Sequence, residues 1–138
     1  MGGRGTWDST GHFQTWTEAD QKWASEGTIS GVKIIHPIGR SNGSLPEYAK
    51  TSEAYIARGK DGKLEHLRIY KDHLPIMEFD LGHAHHHGMA EGEVHVHHYT
   101  IAKDGFPDRS RKGVPPTTPE WSRWGNVILE MIERNKQR

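Results

Sequence analysis

Between residues 54 and 101 the chain alternates apolar and polar residues, and short turn-forming stretches interrupt the alternation. Period two is the signature of half-buried β-strands, because successive side chains leave opposite faces of a sheet. Ala54-Tyr55-Ile56-Ala57-Arg58 reads as one strand, and Lys60-Asp61-Gly62-Lys63 supplies an Asp-Gly turn into Leu64–Tyr70. A third strand is expected over about 76–81 and a fourth over about 93–101. Four consecutive strands with short links favour an antiparallel meander over a parallel sheet.

The flanks look helical. Thr17-Glu18-Ala19-Asp20 has the polar start of a helix, Ala19 and Trp23 share a face, and Gly27 ends the segment, so a short helix is expected over 18–26. Val32–Ile35 is a short strand, and 36–50 reads as a loop. Residues 102–118 form a second loop with three prolines and a basic cluster of Arg109, Arg111 and Lys112. Thr118 as N-cap and Pro119 at the first helical position then open a helix over 119–134, whose stripe is Trp121, Trp124, Ile128, Met131 and Ile132. The expected fold is α+β: an antiparallel meander of about four strands packed on the C-terminal helix, with a short N-terminal helix. Residues 1–15, rich in Gly, Ser and Thr, read as a flexible arm, and 16–138 as one domain.

The chain has no cysteine, which excludes disulfides, thiolate zinc sites and cysteine nucleophiles. Eighteen basic residues balance eighteen acidic ones, so the excess positive charge typical of nucleic-acid binders is missing. No apolar run is long enough to span a membrane, and the first residues lack the apolar stretch of a signal peptide. Eleven histidines are the unusual feature.

Strand parity sorts the candidate functional residues. Leu67 and Ile69 oppose His66, Arg68 and Tyr70; Met77, Phe79 and Leu81 oppose Glu78 and Asp80; Val94 and Val96 side with His98, against His95, His97 and Tyr99. If the apolar side meets the helices, the other presents Arg68, Tyr70, Glu78, Asp80, His95, His97 and Tyr99 together. Two chemistries suit such a set. His95 and His97 on one strand face could ligate a divalent metal such as zinc, with His83 and His85 completing the site and Asp80 as ligand or supporting acceptor. Alternatively, one of His95 and His97 takes a proton from a ribose 2′-hydroxyl and the other returns one to the leaving oxygen, while Arg68 stabilises charge on phosphorus. A solvated, chemically idle His-rich hairpin is the third reading.

The residues also carry a resemblance. Gly62-Lys63-Leu64 through Arg68-Ile69-Tyr70, then Phe79-Asp80-Leu81-Gly82-His83-Ala84-His85 and His95-Val96-His97, resemble a domain fused to head-morphogenesis proteins of phages of Gram-positive bacteria and to polymorphic-toxin C-termini. The opening Met1-Gly2-Gly3-Arg4-Gly5 is similar to that of small proteins from the phage head-gene region. The match covers about residues 50–100. It implies an α+β domain with Asp80, His83, His85, His95 and His97 at its site, and in the toxin relatives a ribonuclease of the barnase/colicin-like type. This chain departs from the pattern in carrying Phe79 where Ile is usual and in adding His86, His87 and His98.

Three functions follow as expectations. One is a phage-encoded, toxin-like endoribonuclease acting on RNA through His95, His97, Arg68 and Asp80. Another is a non-enzymatic virion or morphogenesis protein whose histidines His83, His85, His95 and His97 hold a divalent metal. The last is an inhibitor that binds a host protein. The resemblance places such a protein in the host cytoplasm or the virion.

Overall fold

The computed structural model describes residues 23–37, 45, 49, 52–59, 61–82, 93–103, 105 and 107–137. Seven strands, β1 (Trp23–Ile29), β2 (Val32–Pro37), β3 (Ala54–Arg58), β4 (Leu64–Lys71), β5 (Leu74–Leu81), β6 (Val94–Ile101) and β7 (Pro107–Arg109), precede one helix, α1 (Thr118–Lys136). The strands lie side by side in chain order in one sheet. Every pairing is antiparallel except β2 with β3, which is parallel.

The expected four-strand meander is therefore the middle of a larger, mixed sheet, and the expected N-terminal helix is corrected. Residues 23–26 of that segment belong to β1, while 18–22 and the 1–15 arm lie outside the described residues. Local helix signals around Thr17 lose to a turn that they precede. Ser30 and Gly31 both take positive φ, 50° and 82°, and Ile29 pairs with Val32 across them. A two-residue turn of this hand matches the twist of paired strands. It folds 23–29 back onto β2, where Trp23 and Ile29 become buried. The reading of 102–118 as pure loop is also corrected, since Pro107–Arg109 adds an edge strand on Tyr99–Ile101. Proline is tolerated at such an edge, where no further ladder needs its missing N–H.

The helix starts one residue earlier than its sequence signals suggest. Thr117 is the N-cap, accepting the Glu120 N–H, while the Glu120 carboxylate accepts the Thr117 N–H at 2.8 Å. This reciprocal capping box outcompetes Thr118 as a start. Trp124, Val127, Ile128 and Met131 are buried against Leu67, Ile69, Phe79 and Val96. Trp121, expected in that stripe, is 37% exposed.

The other face of the sheet is also covered in part. Trp23, Ile35, Tyr55, Ala57 and Tyr70 form a second apolar cluster with Leu45 and Ala49. Ala49 is tied to the β4–β5 turn by hydrogen bonds in both directions with His73: its N–H reaches the His73 carbonyl, and its own carbonyl meets His73 Nδ1, each at 2.8 Å.

A bulge in β4 decides which residues reach which face. Ala57 pairs with His66 but Arg58 pairs with Leu64, leaving Glu65 as the extra residue. The insertion lets both Leu64 and Leu67 enter the helix-side core, which strict alternation forbids. Asn135 near the end of α1 then binds the Leu64 backbone as a strand partner would, its Oδ1 accepting the N–H at 2.8 Å and its Nδ2 donating to the carbonyl at 2.9 Å. Asn135→Ala strands two partly buried backbone groups, and the expected loss is about 1–3 kcal/mol by urea unfolding. An unchanged unfolding midpoint would contradict this role.

Candidate functional site

Register brings the polar residues of β4, β5 and β6 into two rows. His66 pairs with Asp80, and Asp80 with His95; Arg68 pairs with Glu78, and Glu78 with His97. Core packing of Leu67, Phe79 and Val96 on the helix side sends these neighbours to the opposite face. Tyr99 and β7, which brings Arg109, complete that face at the edge.

The inner row is held by charge. Arg68 and Glu78 are both almost fully buried, and Nε and Nη2 of the guanidinium each lie 2.9 Å from Glu78 Oε1. Arg68 Nη1 donates to the Leu45 carbonyl at 2.7 Å. Tyr99 spreads over the guanidinium at 5.4 Å and donates its hydroxyl to Glu78 Oε1 at 3.3 Å. Burial opposes ionisation of Glu78, but Arg68 and His66 outweigh it and hold the carboxyl well below its usual range. Burial also opposes charge on Arg68, which Glu78 more than restores. Burial raises both Tyr70 and Tyr99, so neither hydroxyl is a ready source of phenolate.

The outer row is more exposed. Nδ1 of half-buried His66 lies 2.7 Å from Asp80 Oδ1, and its Nε2 lies 3.1 Å from Oε2 of Glu65, the bulge residue. Desolvation disfavours its charge, yet hydrogen bonds to Asp80, Glu65 and Glu78 win and raise the imidazole well above 6.5. Both ring nitrogens of His66 thus face carboxylates, which favours its charged form. Asp80 moves opposite to Glu78: burial raises it above its usual value, and the nearby Glu78 charge adds to the rise. Arg109 reaches Asp80 Oδ2 at 2.5 Å while remaining 42% exposed.

His97 is fixed at one nitrogen. Its Nδ1 lies 2.8 Å from the Ser110 carbonyl, which can only accept, so Nδ1 carries the proton. The other nitrogen, Nε2, lies 3.4 Å from Asp80 Oδ2. His95 has its Nε2 3.2 Å from Glu93 Oε2. Gly113 presses on both rings: a Cβ there would come within 2.8 Å of His95 Cβ and 3.1 Å of His97 Nε2. Only glycine lets the backbone approach this closely.

Of the residues read from sequence, Arg68, Asp80, His95 and His97 share this face, whereas His83 and His85 lie outside the described residues, as do His86 and His87. His98 faces the other way, to Glu120 at 2.7 Å. Three members were missed. His66 shares the parity of Arg68 and could have been included on that ground; Glu65 needs the bulge, and Arg109 needs β7, neither of which alternation reveals.

Among the described residues, His66, Glu78 and Asp80 form a group that could hold a metal ion, their ligand atoms lying within 4.8 Å of one another. One imidazole and two carboxylates suit a divalent cation. A cation there must displace the His66 proton, because a ligating imidazole is neutral. No helix of the described residues is long and apolar enough to cross a membrane. Protein-family models, curated proteins and solved structures were compared with the chain, and none matches.

The pH response of stability follows from the two opposed shifts. A raised His66 stabilises the fold in full below 6.5, and this is lost as pH rises through its folded value. A lowered Glu78 stabilises in full above 4.5, and this is lost as pH falls through its folded value. The stability gap between the native chain and His66→Gln should therefore be widest below pH 6.5 and close at higher pH. The gap to Glu78→Gln should be widest above pH 4.5 and close in acid. Urea midpoints across pH measure both, and gaps that stay constant with pH would refute the assignment.

Proposed function

We propose that this face is a general acid–base site that cleaves a phosphodiester of RNA, with His97 and His95 as the proton carriers. The observation that carries the reading is the Ser110 carbonyl on His97 Nδ1, which leaves the opposite nitrogen, 3.4 Å from Asp80 Oδ2, as the one available to exchange a proton. Fixing one imidazole nitrogen so that the other can exchange a proton is what acid–base catalysis by histidine needs. His95 lies two residues along the same strand face, about 7 Å away by strand rise, a span that can bracket a phosphate.

In this reading one imidazole accepts the 2′-hydroxyl proton as that oxygen attacks phosphorus. The other donates a proton to the leaving 5′-oxygen, giving a 2′,3′-cyclic phosphate and a free 5′-hydroxyl. Arg109, at the exposed rim, neutralises charge on the phosphoryl oxygens. Arg68 is sequestered behind Tyr99 with its hydrogen bonds on Glu78 and Leu45, so its role is to fix Glu78 as an anion. Asp80, raised where Glu78 is lowered, is the carboxylate suited to exchange a proton with His97. The resemblance to polymorphic-toxin C-terminal domains implies the same activity.

A second reading has an observation of its own: the His66–Glu78–Asp80 group binds a divalent ion such as zinc, and the protein is a metal-stabilised phage component. Ligation there requires deprotonated His66, so binding releases a proton and weakens in acid.

One set of measurements separates them. Cleavage of single-stranded RNA should survive chelator, yield cyclic phosphate ends, vary with pH as a bell, and fall by about 10²–10⁴-fold in His97→Ala. Absence of cleavage, together with zinc binding that releases protons and is lost in Asp80→Asn, would establish the metal reading.

A further inference from the structure

The chain is neutral overall, yet three of the five residues in Arg109-Ser110-Arg111-Lys112-Gly113 are basic. This stretch is built into the edge of the site. Arg109 binds Asp80, the Ser110 carbonyl takes His97 Nδ1–H, and the Gly113 backbone lies against His95 and His97. Its ends are clamped to β6: Ser110 N–H donates to the His98 carbonyl at 2.8 Å, and Val114 exchanges both backbone hydrogen bonds with Val96 at 2.7 and 3.0 Å. Arg111 and Lys112 sit between the clamps, exposed, and make no ion pair among the described residues. Two cationic residues with no ion pair among the described residues are thus carried on a backbone held against the two imidazoles.

We infer that the segment Arg109–Gly113 is a phosphate-anchoring strap, in which Arg111 and Lys112 hold the backbone phosphates of single-stranded RNA next to the bond presented to His95 and His97. The inference rests on the acid–base reading for its substrate class. It explains how a chain with no net charge binds a polyanion: a short fixed strap supplies locally what the whole surface lacks. Phosphate contacts of this kind position a strand without reading its bases, so the strap confers register and not sequence preference.

The test uses the whole chain and a short 2′-O-methyl oligoribonucleotide, which keeps the phosphates but lacks the attacking hydroxyl. Binding is followed by fluorescence anisotropy over a range of salt, and the all-ribose oligonucleotide is assayed for cleavage alongside. The double variant Arg111→Ala/Lys112→Ala changes only exposed side chains. It should bind about tenfold or more weakly in low salt, with the slope of log K against log salt reduced by about 1.4 for two lost phosphate contacts on a single strand. Lys136→Ala, one charge near the end of α1, should leave both unchanged. Failure of the native chain to bind the probe, or a double variant with native affinity and slope, would overturn the strap. Salt-sensitive binding that the double variant loses, with no cleavage of the ribose form, keeps the strap and overturns the acid–base reading. Cleavage that needs His97 but ignores the double variant's charges does the reverse.

Discussion

The Arg68–Glu78 ion pair is the interaction on which the second face of the sheet depends. Both groups are buried, and the apolar cluster of Tyr55 and Tyr70 begins beside them: Arg68 pairs with Tyr55 across β3. A buried pair of this kind stabilises little against a well-packed apolar substitute, whereas leaving one partner alone costs about 3–5 kcal/mol. Net stability is therefore a poor reason for its presence. Its consequence is local: a permanent anion at Glu78, rigidly placed by a forked guanidinium and roofed by Tyr99. His66 and Asp80 in the outer row sit in the field of that anion.

That field divides two carboxylates that are two residues apart on one strand face. Glu78 receives Arg68 and is lowered despite its burial, while Asp80 is raised by burial first and by the repulsion of Glu78 in addition. Two like groups with opposed shifts take different tasks, one fixed as an anion and one able to exchange a proton. His66 is drawn the same way, since Asp80, Glu65 and Glu78 together hold its proton. The histidine nearest the carboxylates is thus committed to charge balance. On β6 the partners differ: His97 Nδ1 meets the Ser110 backbone carbonyl, and His95 Nε2 meets the half-exposed Glu93 carboxylate.

How much of this was legible in the sequence depends on what each feature is encoded by. Parity placed Arg68, Glu78, Asp80, His95 and His97 on one side because alternation is a local property of a strand with a buried face. The edges of the sheet were not legible in the same way. Ser30-Gly31 decides the fate of Trp23–Ile29, yet the acidic residues after Thr17 gave that segment a stronger local helix signal. β7 is three residues long and begins with proline, so its pairing exists only through Tyr99–Ile101. The bulge at Glu65 was likewise hidden, although Leu64 and Leu67, three apart and both apolar, carry its trace. Glu65 and Arg109 entered the site through these non-local features, which is why reading the strands one at a time did not collect them.

Charge counting links the proton, the metal and the phosphate. Glu65, Glu78 and Asp80 face Arg68, Arg109 and His66, three carboxylates against three cations. A divalent ion that displaces the His66 proton adds one net positive charge to this balanced set, which favours departure of the most weakly held cation. Arg109 is that cation, since it is the most exposed of the six and comes from the short edge strand. In the proposed acid–base reading an arriving phosphate would act on the same residue, competing with Asp80 for the guanidinium. If Arg109 turns outward to phosphate, Asp80 Oδ2 loses its strongest partner and His97 Nε2 is the imidazole nitrogen left beside it. Substrate would then create the proton-exchanging pair, and the resting ion pair between Arg109 and Asp80 would keep it silent.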